Sequence, residues 1–244
     1  MRIDAPFRVV GQIIADACFR PRSLSRFIAF YANLRSWSYP AGKLPSVSIF
    51  DLVPGAAHQP VRLQNMFEVP VLNVTPERHS KRETASTTLR DAYCLALLAR
   101  SINAKSFLEI GTSFGETALL FALNSPDDAS VTTLDIQTDN PAVGIKFRDT
   151  PVASKIRLLL MSSDEFGRTN EGRTYDMIFV DGDHSYAGVL HDSLLAFRFL
   201  RPGGMVCWHD YTFRFRYEVV RALDELRSKG YDIRHVMYSN LCFL

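Results

Sequence analysis

The chain has no apolar run approaching the ~20 residues that a membrane-spanning helix needs, so nothing in it points to a bilayer. It also lacks an excess of either charge. Its 28 Lys and Arg against 26 Asp and Glu leave a formal net charge of +2. That balance, without a basic stripe interleaved with aromatics, argues against a nucleic-acid partner. Cysteine is scarce. Cys18, Cys94, Cys207 and Cys242 stand far apart with no C-x-x-C pair, which excludes a disulfide framework or a structural zinc site. They read as small buried hydrophobes of a protein in a reducing compartment, and the expected location is the cytoplasm. Met1 to Pro6 shows neither the apolar core nor the cleavage site of a signal peptide. There is no internal repeat and no low-complexity tract. The 47% hydrophobic and 22% charged composition is that of a globular protein. A length of 244 residues accommodates one large domain, or one domain with a cap.

The most informative stretch runs from Phe107 to Thr117. Phe107 to Ile110 is a short apolar run with one acid, which suits a buried strand. Gly111 and Gly115 supply a tight turn, and glycine there lets a ligand approach the backbone closely. From Glu116 the pattern turns helical, with Ala118, Leu119, Leu120, Ala122 and Leu123 on one stripe. Strand, glycine turn and helix form the first unit of a nucleotide-binding α/β fold. The dinucleotide fingerprint G-x-G-x-x-G is not met, because Ser113 stands at its middle position.

The following strand ends predict further site residues. A strand from Ala129 to Ile136 delivers Asp135, 24 residues beyond Gly111, where an acid can accept from a pair of sugar hydroxyls. Asp135 would serve equally as a surface acid capping the next loop. A third strand, Ile156 to Met161, leads into Ser162, Ser163 and Asp164. Here Asp164 would also suit a helix N-cap before Glu165 and Phe166. The strand from Tyr175 to Val180 opens into Asp181-Gly182-Asp183-His184, followed by a helix from Ser185 to Leu200. Arg201-Pro202-Gly203-Gly204 reads as the stop of that helix. The strand from Met205 to Trp208 then runs into His209-Asp210-Tyr211. Acids and histidines thus gather on two neighbouring strand ends, the place where open α/β sheets bind ligands.

The flanks differ from this core. Residues 1–84 show no strand–helix alternation and read as a cap or oligomerisation arm, leaving 85–244 as the main domain. A helix is expected from Leu24 to Leu34. Beyond it Pro40, Pro45, Pro54, Pro60, Pro70 and Pro76 favour loops and short strands, such as Val47 to Val53 and Val69 to Val74. A helix from about Thr84 to Ile102 leads into the first strand. Tyr217 to Lys229 is amphipathic and stopped by Gly230. Ile233 to Tyr238 and Leu241 to Leu244 read as two strands around a Ser239-Asn240 turn. The expected fold is a Rossmann-like three-layer α/β sandwich, with a mostly parallel seven-stranded sheet closed by a C-terminal antiparallel hairpin.

Over residues 85–244 the chain resembles class I S-adenosylmethionine-dependent methyltransferases. The likeness rests on Glu109-Ile110-Gly111-Thr112 with Gly115, on Leu134-Asp135, on Asp181-Gly182-Asp183-His184-Ser185-Tyr186, on Arg201-Pro202-Gly203-Gly204 and on His209-Asp210-Tyr211. In combination these are similar to the subgroup of macrolide-sugar O-methyltransferases and cephalosporin-hydroxylase-like proteins. The resemblance implies that Glu109, Gly111 and Ser113 line the methionine part of the cofactor, with Gly115 shaping the turn. It implies that Asp135 holds the ribose and that Ser163 and Asp164 face the adenine. It places a metal-binding acid on Asp181, a catalytic base on His184 and a further metal-binding acid on Asp210. His209 departs from the pattern, which has a second acid there.

Magnesium prefers oxygen ligands, and an imidazole would shift preference toward manganese, iron or zinc. The implied metal set is Asp181, His209 and Asp210. The implied acceptor is a small molecule, and the apolar content of the N-terminal arm points to a homo-oligomer formed through it. Two other readings stand beside this one. A catalytically degenerate cofactor-binding or interaction protein would explain His209. A nicotinamide-dependent oxidoreductase is opposed by the missing middle glycine, the C-terminal hairpin and the absence of a Tyr-x-x-x-Lys pair. Arg62, Arg78, His79, Lys81 and Arg82 are either a greeting for an acidic substrate or a solvated face.

Overall fold

The computed structural model describes residues 42–53, 61–62, 87–212 and 217–244. Its eight strands are β1 (Ser46–Val47), β2 (Ser106–Ile110), β3 (Ser130–Asp135), β4 (Ile156–Leu160), β5 (Tyr175–Val180), β6 (Leu200–Trp208), β7 (Arg234–Val236) and β8 (Cys242–Phe243). Its helices are α1 (Ile49–Leu52), α2 (Leu89–Ser101), α3 (Glu116–Asn124), α4 (Ile145–Arg148), α5 (Ser163–Thr169), α6 (Tyr186–Phe199) and α7 (Tyr217–Ser228). The strands form one sheet in the order β1-β7-β8-β6-β5-β2-β3-β4. Only β8 runs antiparallel to its neighbours. The seven strands expected from the main domain are present, with the closing hairpin. The N-terminal region contributes an eighth, as Ser46 and Val47 pair with His235 and Val236.

Strand alternation sends side chains to two cores. Phe107, Met177, Phe179 and Cys207 face the layer that holds α2 and α3. Leu108, Ile110, Ile178, Val180, Val206 and Trp208 face α5, α6 and α7. A sheet buried on both faces reads as continuous apolar runs, which is why β2 and β5 look featureless in sequence. Cys94, Cys207 and Cys242 are buried and unpaired, as expected; Cys18 lies outside the described residues. No helix among the described residues is long and apolar enough to cross a membrane.

Several boundaries differ from the sequence reading. The helix expected from Thr84 begins at Leu89, because Thr88 is its N-cap and accepts from Asp91 N. Arg201 to Gly204 do not end a helix before a new strand. They lie within β6 as an irregularity, since Tyr175 pairs with Leu200 and Met177 with Met205. Val47 to Val53 is not one short strand; a helical turn follows Val47. The helix expected over 24–34 and the strand over 69–74 lie outside the described residues.

The described part of the N-terminal region is fastened to the sheet edge. Tyr211 Oη donates to Asp224 Oδ1 at 2.7 Å and accepts from Leu44 N at 3.3 Å. Lys43 N donates to the same Asp224 carboxylate.

Candidate functional site

The chain moves outward from β2 through β3 to β4, then returns to the other side of β2 as β5. That reversal places a crevice between the carboxyl ends of β2 and β5, and sheets of this kind bind ligands there. Gly111 sits at its floor with φ +100°, and a Cβ there would stand 2.2 Å from the Asp181 carbonyl oxygen. Only glycine tolerates both the angle and the approach. Asp181 N donates to Ile110 O at 2.9 Å, so the two strand ends are locked together. Ser113 (φ 48°) and Gly115 (φ +86°) continue the left-handed turn. Asp135 at the end of β3 holds this loop. Its Oδ2 accepts from Ser113 N and its Oδ1 from Gln137 N, both at 2.9 Å.

Glu109 shares the side of β2 that faces α2 and α3, where it is buried. Burial pushes its carboxyl well above the ordinary carboxylate value; the hydroxyl bond from Thr133 opposes this, and Asp181 and Asp135 add to it.

The acids and histidines of β5 and β6 form one cluster. His184 Nε2 lies 3.3 Å from Asp181 Oδ1 and 3.0 Å from Asp210 Oδ2. These bonds, Asp181 first and then Asp210, raise the His184 pKa to about 9. His209 follows the alternation of Cys207 and so turns toward α2. There its Nε2 meets Asp91 Oδ2 at 3.2 Å, while Nδ1 faces Asp181 Oδ1 at 3.6 Å and Asp210 Oδ1 at 3.4 Å. Burial disfavours the imidazolium, but Asp181 and then Asp91 outweigh it, and His209 stands well above the ordinary histidine value. Burial alone would raise Asp91, yet bonds from His209, Thr88 and Asn240 N hold it below the ordinary range. Asp210 has a left-handed φ of 61°. A non-glycine residue held there is often found at functional sites.

Residues 108–211 match the family model described as a methyltransferase domain. The chain is 34% identical over 124 residues to the catechol O-methyltransferase domain-containing protein 1 of Mus musculus, covering 49% of this chain and 47% of that protein. It is 29% identical over 135 residues to the caffeoyl-CoA O-methyltransferase of Pinus taeda, covering 50% and 49%. The likeness to methyltransferases lies in residues 108–211. The chain spans about half the length of these curated relatives.

Solved O-methyltransferases share the fold of this chain. One from Bacillus cereus, in complex with SAH, has a TM-score of 0.52 at 17% identity, covering 71% of this chain and 82% of that one. TomG from Streptomyces achromogenes, in complex with SAM, has a TM-score of 0.52 at 18% identity, covering 82% and 90%.

The fold brings together Glu109, Gly111, Ser113, Gly115 and Asp135 around the glycine loop. Asp181, His184, His209 and Asp210 cluster beside them. Ser163 and Asp164 stand at the end of β4, but both engage α6. Ser163 Oγ donates to Asp192 Oδ1 at 2.6 Å, and Asp164 Oδ1 lies 2.9 Å from His191 Nε2. The N-cap of α5 is Ser162, which accepts from Glu165 N, so the capping role open to Asp164 is filled by its neighbour. The two acids of Asp181-Gly182-Asp183 divide their work. Asp183 accepts from Ser185 N and Oγ and shapes the entry to α6. Three residues were missed. Asp91 is wholly buried, and its signal was a Thr-x-x-Asp cap pattern that gives no hint of His209. Ile136 is 72% exposed beside Asp135, an unusual place for a large aliphatic side chain. Asp192 is buried on α6 behind Ser163.

Proposed function

We propose that the protein is an S-adenosylmethionine-dependent O-methyltransferase acting on a small-molecule hydroxyl. The observation that carries this reading is the adjacency of two half-sites across the β2–β5 crevice. One is a glycine loop with an acid at the next strand end, and the other is a histidine bridging two carboxylates. The relatives named for catechol and caffeoyl-CoA suggest a hydroxyl on an aromatic ring as the acceptor.

In this reading Gly111 admits the methionine part of the cofactor to the backbone, and Ser113 and Glu109 border it. Asp135 accepts from the ribose hydroxyls, and exposed Ile136 offers an apolar face to the adenine. Methyl transfer from a sulfonium needs in-line positioning and removal of the acceptor proton. His184 is the residue placed to take that proton, and Asp181 and Asp210 orient its ring and stabilise the imidazolium that forms.

A divalent ion is an alternative occupant of the same cluster, with His184 then a ligand and not the base. Ligand atoms of Asp181, His184 and Asp210 all lie within 4.8 Å of one another. Two carboxylates with an imidazole suit manganese, iron or zinc better than magnesium. His209, first expected in that set, offers Nδ1 to the acids while its other nitrogen is engaged by Asp91. A bound ion would supply Lewis acidity that lowers the acceptor hydroxyl's pKa.

Isothermal titration with S-adenosylhomocysteine tests the cofactor, with micromolar affinity as the expected result. Transfer of labelled methyl from S-adenosylmethionine to catechol-type acceptors tests the reaction. Absence of any binding at millimolar ligand would overturn the reading.

A further inference from the structure

A cavity of about 340 Å³ lies between α2 and α3, at the end of the sheet opposite the crevice. The direction of the chain fixes that end. α3 leaves the glycine loop at Glu116 and finishes at Asn124, which lines the cavity. The walls are Ala96, Ala99 and Ala104 with Phe107 and Phe121. The two rings stack with centroids 4.7 Å apart. Three alanines here leave room that larger side chains would fill. Cavities of this size hold small molecules when apolar walls carry a few polar groups to orient the ligand. None of these residues has a part in the chemistry proposed for the crevice.

The polar rim carries charge of one sign. Among the described residues lining the cavity the charged ones are Arg100 and Lys105, and no acid stands with them. Lys105 Nζ is engaged by Asp128 at 2.7 Å. Asn124 organises the rest of the rim. Its Oδ1 accepts from Arg100 Nη2 at 3.0 Å and from Arg62 N at 2.8 Å, and its Nδ2 donates to Arg62 O at 2.9 Å. Asn124 thus orients the Arg100 guanidinium with a neutral oxygen and brings Arg62 to the same corner. Burial, and then the Arg62 guanidinium, hold Arg100 below the ordinary arginine value. Two like charges crowd this corner, and an anion between them relieves both. In sequence Arg62 read as a greeting for an acidic molecule or as a solvated face. Its bonds to Asn124 put it beside the cavity and away from the crevice.

We propose that this cavity binds a small apolar carboxylate, with its body against Phe107, Phe121 and the alanines and its carboxylate at Arg100. A carboxylate suits the rim because a guanidinium offers paired donors that match its two oxygens. A compact inorganic anion would meet the cations but leave the apolar walls uncovered. A neutral apolar molecule would fill the walls and leave the like charges crowded. The site does not depend on the methyl-transfer reading and can fail or stand without it.

The test is titration calorimetry with 3-phenylpropionate and 3-phenylpropionamide, which share a shape and differ in charge. The wild-type protein is expected to bind the carboxylate with a Kd on the order of 0.1–1 mM, as suits so few atoms. The amide should bind roughly tenfold more weakly or worse, the worth of hydrogen bonds to a charged group. Ala99→Leu fills the cavity and should abolish binding of both compounds. Arg100→Gln should bring their ratio to within about threefold, because the charge-assisted bonds are gone. It decides the matter if Ala99→Leu does not fold. Saturating S-adenosylhomocysteine should leave carboxylate binding in place, since the crevice lies at the other end of the sheet. Absence of carboxylate binding at millimolar concentration overturns the proposal. So does binding that survives in a folded Ala99→Leu, an unchanged ratio in Arg100→Gln, or displacement by S-adenosylhomocysteine. Failure of S-adenosylhomocysteine to bind would overturn the methyl-transfer reading alone.

Discussion

The two halves of the crevice are built on different principles. Beneath β2, β3 and β4 the site is made of backbone. Gly111 presses against the Asp181 carbonyl, the Ser113 amide is tied to Asp135, and Gly144 N and Lys146 N brace the loop by donating to Ser113 O and Phe114 O. At the ends of β5 and β6 it is made of charge, with His184 and His209 set among Asp181, Asp210 and Asp91. A backbone site is broken by crowding. A charge site is broken by removing a partner, and it responds to pH. The contrast teaches where each half is vulnerable.

The largest effect is expected at Gly111. Gly111→Ala puts a methyl 2.2 Å from a carbonyl oxygen at a φ of +100°. Binding of S-adenosylhomocysteine should be lost beyond detection by calorimetry, with a lower Tm. Gly172→Ala is the control, since it has φ +81° and nothing within 4 Å of the added carbon. It should cost only the ~1–2 kcal/mol of a left-handed non-glycine residue and leave binding intact. Equal damage from the two would show that strain, and not the approach of Asp181, makes the loop.

His184→Ala comes next and strikes the other half alone. Loss of a positioned base should lower kcat by about 10²–10⁴-fold. Affinity for S-adenosylhomocysteine should stay within about threefold, because His184 contacts the acids and not the glycine loop. A parallel fall in cofactor affinity would erase the distinction between the halves.

The backbone half was largely legible in the sequence because its signals are local. A strand, a glycine turn, a helix and an acid at the next strand end follow one another within Phe107 to Asp135. The charge half was legible only where it lies on strand ends. Asp181, His184, His209 and Asp210 were visible there, but Asp91 reaches His209 across 118 residues of chain. Its Thr88-x-x-Asp91 spacing reads as a helix cap, and only the register of α2 over the sheet turns it toward His209. Asp192 was hidden for the same reason, on the inner face of α6. β1 was hidden because two residues cannot show a period, and its neighbouring prolines suggest a loop. Arg201 to Gly204 were misread because proline and glycine mark the irregularity inside β6 as readily as a break between elements.

Asp91 tests how far the charge half depends on this distant partner. Asp91→Ala leaves His209 as a buried cation without its deepest counter-ion, and breaking such a pair costs about 3–5 kcal/mol. Chemical denaturation should show that loss. The double variant Asp91→Ala with His209→Phe should recover part of it, since the stranded charge is gone. A double variant no more stable than the single would mean that Asp91 matters through its bonds to Thr88 and Asn240 N instead.

The smallest effect is a shift along the pH axis, and it concerns His184 directly. Its pKa is raised above the ordinary 6.5 to about 9 by Asp181 and then Asp210. The sign follows from which form the acids favour. The stabilisation they give the imidazolium is fully present below about pH 6.5 and is lost as pH rises through about 9. The base form grows over that same interval, so kcat/KM of the metal-free protein should climb with pH toward about 9. Asp210→Asn removes one of the two carboxylates and keeps its shape, so the climbing limb should move to lower pH. The variant would then be closer to full activity at neutrality while losing stability there. Asp210→Asn should leave the pH dependence of cofactor affinity in place, because neither Asp210 nor His184 contacts the glycine loop. A limb that stays in place in Asp210→Asn would assign the proton transfer to a group other than His184.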